Sequence, residues 1–194
     1  MRLLIVCAVL AVACSHEATH RIVRVAAASD LEAAFGELGP DFEKRTGIEP
    51  VFDFASSGLL AKQIEQGAPY FLFAAANASY ADRAVASGHC DPTSERPYAR
   101  GQLVVWTPQG VTPPGKLGDL ADARFQHIAI ANPDHAPYGA AAWQALTYAG
   151  LWDRVRDRLV VADSVQAAMQ YAATRSVDAA IVAQSVALVT EGGH

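Results

Sequence analysis

The sequence predicts an α/β protein with two lobes, each built on a mainly parallel central sheet flanked by helices, and a ligand cleft between the lobes. Two observations favour this fold. Short β-rich segments alternate with helical segments along the 194 residues, which is typical of parallel sheets covered by helices. The Pro- and Gly-rich segment TPQGVTPPGKLGDL interrupts the alternation near the middle of the chain and has the composition of a loop. The chain therefore divides into two βα blocks.

The first block, which we expect to form lobe one over residues 21–100, contains three strands and three helices. The strands are predicted at 22–27, 49–54 and 70–76, and the nearly continuous apolar run of the third predicts burial on both of its faces. Ser29 and Glu32 have the spacing of a capping box at the first helix, which Gly47 is predicted to end. The second helix begins after Ser57-Gly58 and the third at Asn77.

The second block, expected to form lobe two over residues 101–185, begins with a strand at 102–107. Strands at 127–131, 158–162 and 178–183 follow, with helices between them. Pro137-Tyr138-Gly139 starts one helix, and the pattern from Asp163 to Gln166 is a second capping box. Residues 186–194 are expected to begin a return of the chain to lobe one.

The N-terminal residues have the order of an export signal. Arg2 precedes an apolar stretch, and Ala11-Val12-Ala13 is an A-x-A cleavage pattern, so residues 1–13 are predicted to be a signal peptide. Cys14 follows directly, and a lipid anchor through its thiol is the alternative to a freely soluble periplasmic or other extracytoplasmic protein.

Composition excludes several classes of function. A hydrophobic content of 52% is that of a globular protein, and a net charge of -5 without a basic patch argues against a nucleic-acid partner. The six histidines are scattered, and none has metal-ligand spacing from another His or Cys, so no zinc site is expected.

Four strand-to-helix turns share one chemistry. They lie at Ser29, Ser57-Gly58, Pro137-Tyr138-Gly139 and Asp163-Ser164-Val165-Gln166. In open α/β sheets, ligands bind outside the carboxyl ends of the strands, where helix N-termini present unpaired N–H groups and favour anions. Each cap taken alone is ordinary helix chemistry, and only a match at specific residues distinguishes a binding site from four caps.

That match is a resemblance to the molybdate-binding proteins of ABC transporters. The matching stretches, in family order, are VAAASDL (25–31), FASSGLLAKQIEQGAP (54–69), QLVVWTP (102–108) and NPDHAPYGAAAWQAL (132–146). The resemblance implies a type II periplasmic-binding-protein-like fold and a tetrahedral oxyanion, molybdate or tungstate, held between the lobes by neutral donors. It implies no cofactor, no direct bond from protein to metal, an ABC permease as partner, and a monomer.

Carried over residue by residue, the resemblance implies that Ser29, Ser57, Tyr138 and the backbone N–H of Val165 bind the oxyanion. Three further candidates are Asp30, Gly58 and Ala183. Asp30 is expected to turn outward, because a carboxylate facing a dianion would be repulsive. Ala183 stands where some relatives carry a Tyr that touches the anion, a role that Tyr138 is expected to take over.

Other departures leave alternatives open. Family members continue beyond the last predicted strand, so the chain is expected to be truncated at its C-terminus, and a truncated relative that binds nothing is one alternative. Sulfate, phosphate or an organic anion is another, with Asp30 as the discriminating residue. A serine hydrolase is disfavoured, because FASSG lacks the first glycine of the G-x-S-x-G nucleophile elbow and no nucleophile, base and orienting residue can be assembled. The sequence therefore predicts a binding protein rather than an enzyme.

Overall fold

The computed structural model describes residues 21–194, and the predicted signal peptide and Cys14 lie outside them. The described chain alternates strands and helices around two sheets. Its strands are β1 (Arg21–Ala28), β2 (Ile48–Ala55), β3 (Leu72–Ala74), β4 (Leu103–Trp106), β5 (Ile128–Ala131), β6 (Leu159–Ala162) and β7 (Ala179–Ala183). Its α-helices are α1 (Glu32–Thr46), α2 (Ser57–Glu65), α3 (Ala78–Ala86), α4 (Pro137–Tyr148), α5 (Trp152–Val155), α6 (Val165–Ala173) and α7 (Gln184–Val189).

Sheet one has the strand order β2-β1-β3, and its strands are parallel. The central strand β1 is apolar in its second half and buried there, as expected of a strand covered on both faces. Its register with β2 pairs Ala28 with Ala55 at the carboxyl ends. The residues that follow, Ser29 on one strand and Ser56-Ser57 on the other, are therefore brought side by side at one edge of the sheet.

Sheet two has the order β4-β7-β5-β6, with β4 antiparallel to β7 and the other pairs parallel. Ala131 of β5 pairs with Ala162 of β6, so the two strands end together. The turns to α4 and to α6 consequently start at the same edge of sheet two. Buried apolar clusters lie on both faces of this sheet, one including Met169 of α6 and the other Leu146 of α4.

The predicted fold class is confirmed, and several local expectations are too. Gly47 ends α1 with a left-handed φ of 69°, a conformation that glycine adopts without steric cost. Pro137 is the first residue of α4, where its missing N–H would have had no partner in the helix.

Two expectations about sheet one are wrong. Ser29 and Glu32 form no capping box, because a short 3-10 helix over Ser29–Leu31 precedes α1 and moves its start to Glu32. The third strand is not buried on both faces either. It is an edge strand of three residues, and the side chains of Phe71 and Leu72 are 78% and 53% exposed.

The second capping box is also placed differently. Ser164, rather than Asp163, is the N-cap of α6, and its hydroxyl accepts a hydrogen bond of 3.1 Å from the N–H of Ala167.

The last residues of the chain lie against sheet two: His194 exchanges two backbone hydrogen bonds of 2.9 Å with Thr107. The lobe boundaries predicted from the sequence stay predictions. Between residues 21 and 194, no helix combines the length and apolar character needed to cross a membrane.

Candidate functional site

A small cavity lies where the carboxyl ends of the two sheets face each other. It is lined by residues from both: Ala28, Ser29, Asp30, Ser56, Ser57, Ala76, Ala136, Pro137, Tyr138 and Val165. Its volume is about 10 Å³, which is close to the space that one water molecule requires. The four helix starts identified in the sequence thus converge on one small cavity.

Ser29 contributes a hydroxyl from the end of β1. The residue is only 6% exposed, and in the described part of the chain its hydroxyl has no hydrogen-bond partner. The 3-10 turn at Ser29–Leu31 explains this geometry, because it frees the serine from capping α1. The hydroxyl is therefore available to a ligand oxygen.

Ser57 begins α2 and is fully buried. Its Oγ accepts a hydrogen bond of 3.0 Å from the N–H of Ala76, in the turn that follows β3. Since a hydroxyl has one proton and two acceptor positions, the proton of Ser57 remains free to be donated into the cavity. The backbone contact also fixes the direction of that hydroxyl.

Ser56 lines the cavity too, although it was not among the candidates from the sequence. Its Oγ lies 2.8 Å from Nδ1 of His135, which belongs to the turn between β5 and α4. Because the two residues are 79 positions apart, no local pattern could have paired them. The one signal was the occurrence of a serine doublet and a histidine in two of the family stretches.

Asp30 does not turn outward as the sequence predicted. It lines the cavity, and its Oδ2 accepts a hydrogen bond of 3.0 Å from the hydroxyl of Tyr138, across the cleft. Its Oδ1 is buried and has no partner among residues 21–194. The 3-10 turn that frees Ser29 also directs the next side chain into the cleft, where the tyrosine gives one carboxylate oxygen a donor.

Burial determines the protonation behaviour of this pair. Loss of solvent raises the pKa of Asp30, and the hydrogen bond from Tyr138 offsets part of that rise. The pKa of Tyr138 is raised by burial and by the nearby charge of Asp30. Tyr98, whose hydroxyl donates to the carbonyl of Ala75 at 2.9 Å, has its pKa raised to about 12 by burial first and by Asp30 second.

Val165 is buried and is the first residue of α6. The first N–H groups of a helix have no partner within the helix and carry part of the positive end of its dipole. The cap at Ser164 holds this turn in place. The N–H of Val165 is thus a neutral donor next to the cavity, on the side of sheet two.

Gly58 and Ala183, two of the sequence candidates, do not line the cavity. The N–H of Gly58 donates instead to the carbonyl of His135 at 2.9 Å, joining the two halves of the molecule. A Cβ at Gly58 would lie 2.6 Å from that carbonyl oxygen, so the close approach requires glycine. Ala183 is buried as the residue before α7.

The electrostatics of the cavity follow from its lining. Hydroxyl and N–H donors face it, no Lys or Arg side chain lines it, and its one carboxylate is Asp30. In the described chain, no group of three or more His, Cys, Asp or Glu side chains could hold a metal ion. The arrangement can bind the oxygens of a small anion through neutral donors.

Two sheets with helices on their faces, facing each other across a cleft lined by helix starts, define a two-lobed solute-binding protein. The chain belongs to the family of bacterial extracellular solute-binding proteins, whose family model matches residues 23–194. It is accordingly a binding protein that acts outside the cytoplasm, not an enzyme.

Two relatives and one solved structure are similar to this chain over most of its length. The chain is 35% identical over 176 residues to the molybdate-binding protein ModA of Rhodobacter capsulatus. The aligned residues cover 91% of this chain and 69% of that protein. It is also 35% identical to the molybdate-binding protein ModA of Azotobacter vinelandii, over 89% of this chain and 68% of the relative. The structure of the Azotobacter vinelandii periplasmic molybdate-binding protein superposes with a TM-score of 0.77 at 37% identity, covering 83% of this chain and 71% of that one.

Proposed function

We propose that this protein captures a tetrahedral oxyanion of the molybdate and tungstate class and delivers it to the permease of an ABC importer. The observation that supports this function most directly is the convergence on one small cavity of four residues, Ser29, Ser57, Tyr138 and Val165. The names of the relatives support molybdate as the first ligand to test.

Neutral donors are suited to this task. A buried anion is stable only if its oxygens are hydrogen-bonded, and each hydrogen bond to a charged group contributes about 1.5–3 kcal/mol net. The hydroxyls of Ser29 and Ser57 and the N–H at the start of α6 come from different elements and from both sheets. Such donors stabilise an anion held between the lobes and favour the arrangement in which the lobes are close.

The size of the cavity indicates that binding involves movement. A volume of about 10 Å³ is too small for a tetrahedral anion of five heavy atoms, since it corresponds to about one water molecule. The lobes must therefore separate for the anion to enter, and the Tyr138 ring must make room for it. Hinge motion of this kind is common in two-lobed binding proteins, and we place the hinge in the segment from Tyr98 to Leu103, which connects the sheets.

Calorimetric titration of the purified chain with molybdate tests the proposal. We expect saturable binding of one anion per chain, and stabilisation by about 2.7 kcal/mol at a ligand concentration a hundred times Kd. Absence of heat and of any thermal shift with molybdate, tungstate, sulfate and phosphate alike would contradict it, and would favour a relative that binds nothing.

Ser29→Ala is the most informative variant for this titration, because its hydroxyl supports nothing else in the described chain. We expect its affinity for molybdate to fall about tenfold or more, the equivalent of one charge-assisted hydrogen bond. Ser57→Ala is less clean, since it also leaves the Ala76 N–H without an acceptor. Ser79→Ala, an exposed serine of α3 outside the cavity, is the matched control and should bind like the wild type.

Monomeric delivery and a lipid anchor at Cys14 are finer parts of the proposal. Sedimentation of the chain with and without molybdate would show one mass, that of the monomer. Expression of the full chain and of Cys14→Ala would separate the two forms of localisation, since only a lipidated chain should remain with the membrane fraction and lose that association on substitution.

A further inference from the structure

Asp30 is the carboxylate in the lining of the cavity, and a site that binds an anion through neutral donors does not require one. One of its oxygens accepts from Tyr138, so that oxygen is engaged. The other, Oδ1, is buried and has no partner in residues 21–194, which is costly for a carboxylate oxygen. Asp30 lines the cavity, so an anion there would lie beside this carboxylate, whose Oδ1 has no donor of its own.

The surroundings offer no cation to compensate the charge. Helices α6 and α7, which pack against the turn of Asp30, contain no acidic, basic or histidine side chain. Strand β2 contributes Asp53, which is paired with Arg24 at 2.6 Å, and Glu49. Helix α1, which follows the turn, carries Glu32, Glu37, Asp41 and Glu43, and its two basic residues, Lys44 and Arg45, lie in its last turn, at the far end from Asp30. Tyr98, His135, Tyr138 and Tyr171 are further titratable groups in this region.

A fully deprotonated dianion and a charged carboxylate cannot share this space favourably. Both present only lone pairs to each other, and both are negative in a site without a neighbouring Lys or Arg. One proton placed between them removes a charge and turns the same contact into a short, charge-assisted O–H···O hydrogen bond. The contact is then satisfied on both sides.

We propose that the site binds its oxyanion together with one proton, held between Oδ1 of Asp30 and a ligand oxygen, so that Asp30 selects the protonation state of the bound pair. This inference rests on the proposed function and specifies its ligand class. The proton has two sources. It arrives with a monoprotonated anion such as hydrogen phosphate, or it is taken from solvent by Asp30 when molybdate or sulfate binds.

Titration calorimetry in pairs of buffers with different ionisation enthalpies measures that proton. At pH values above the pKa that Asp30 has in the protein without anion, the wild-type chain should take up about one proton for each sulfate or molybdate bound. In that pH range its affinity for these anions should fall about tenfold per pH unit. Asp30→Asn offers an amide donor at every pH, so its uptake should vanish and its affinity should become independent of pH. Asp163→Asn, which removes an exposed carboxylate near the start of α6, is the control and should keep the wild-type uptake.

Measurements of phosphate binding distinguish the two sources of the proton. If the proton comes with the ligand, the wild type should prefer hydrogen phosphate to sulfate at about pH 8, without proton uptake, and Asp30→Asn should lose that preference. If Asp30 takes the proton from solvent, sulfate and molybdate should bind with the uptake described above. A second variant, Asp30→Ser, and the circular dichroism spectrum of each variant show whether substitution of Asp30 unfolds the chain.

Different results would contradict the inference about the proton and the proposed function. Binding of molybdate or sulfate without proton uptake, with equal affinity from about pH 5 to about pH 8 and the same anion preference in Asp30→Asn, overturns the inference and leaves the proposed function intact. Absence of binding by the wild type and by Asp30→Asn, with all three anions across that range, overturns both.

Discussion

Asp30 and Tyr138 couple the protonation of the cavity to the stability of the fold. Burial raises the pKa of Asp30 above its value in the unfolded chain, although the Tyr138 hydroxyl lowers it again in part. A folded-state pKa above the unfolded one means that the folded chain binds the proton more tightly. Stability is therefore greatest below the unfolded pKa and decreases as the pH rises through the folded pKa of Asp30.

Tyr138→Phe tests this coupling by removing the hydroxyl that donates to Asp30 Oδ2 at 3.0 Å. The folded pKa of Asp30 should rise further, so the free energy of unfolding should fall by about 1–3 kcal/mol at neutral pH and by less in acid. Urea unfolding at several pH values measures both. Tyr148→Phe, at a tyrosine that is 97% exposed, is the control. A loss of stability in Tyr138→Phe that is equal at every pH would show that Asp30 is not involved.

At Gly58 the backbones of the two halves are in direct contact, because its N–H donates to the carbonyl of His135 at 2.9 Å. In Gly58→Ala, the new Cβ would lie 2.6 Å from the carbonyl oxygen of His135, and separation of the lobes relieves the clash. We expect the affinity for molybdate to fall about tenfold or more, since overpacking costs about 1–3 kcal/mol, while the melting temperature without ligand changes little. Gly36→Ala in α1, where a Cβ meets nothing within 4 Å, should leave affinity unchanged. Wild-type affinity in Gly58→Ala would contradict this reading of the contact.

At the scale of elements, the sequence predicted what local chemistry determines. The alternation of strands and helices, the end of α1 at Gly47 and the start of α4 at Pro137 depend on neighbouring residues only, and the structure confirms them. The short edge strand β3 could not be predicted, because its position in the sheet depends on which strands pair with β1. For the same reason the contact between Ser56 and His135 was missed.

The start of α6 is an element whose cap supports the site directly. In Ser164→Ala the Ala167 N–H loses its acceptor at 3.1 Å, and the turn that positions the Val165 N–H loosens. We expect a loss of about 1 kcal/mol in the free energy of unfolding, together with weaker binding of molybdate. Asn77→Ala is the matched control, because Asn77 caps α3, outside the cavity lining, by accepting from the Ser79 N–H at 2.8 Å. It should lose similar stability and keep wild-type affinity; equal affinities in the two variants would show that the α6 cap has no part in binding.

At the scale of the whole molecule, a few hydrogen bonds join the two sheets around the cavity. His135 takes part in two of them, with the hydroxyl of Ser56 and with the N–H of Gly58, and Tyr138 bonds to Asp30. The hydroxyl of Ser185, in α7, also donates to the carbonyl of Asp30 at 3.3 Å. These contacts join turns that follow the strands of sheet one to turns and helices that follow the strands of sheet two, so we expect them to break when the two sheets separate. They therefore act on the same equilibrium as the anion, which also bonds to both sides.

A double-mutant cycle on Ser56 and His135 measures that equilibrium. Because we expect their 2.8 Å contact to break when the two sheets separate, Ser56→Ala and His135→Ala should each weaken molybdate binding, and the double variant should lose less than the sum. The coupling in binding free energy should be about 0.5–1.5 kcal/mol, the net contribution of one hydrogen bond. The pair Gln63 and Tyr70, which are joined by a hydrogen bond of 2.8 Å within the first lobe, provides the control cycle and should show coupling in stability but none in affinity. Zero coupling in affinity for Ser56 and His135 would mean that their contact is present before and after the anion binds, and lobe closure would then have to depend on the Asp30 and Gly58 contacts instead.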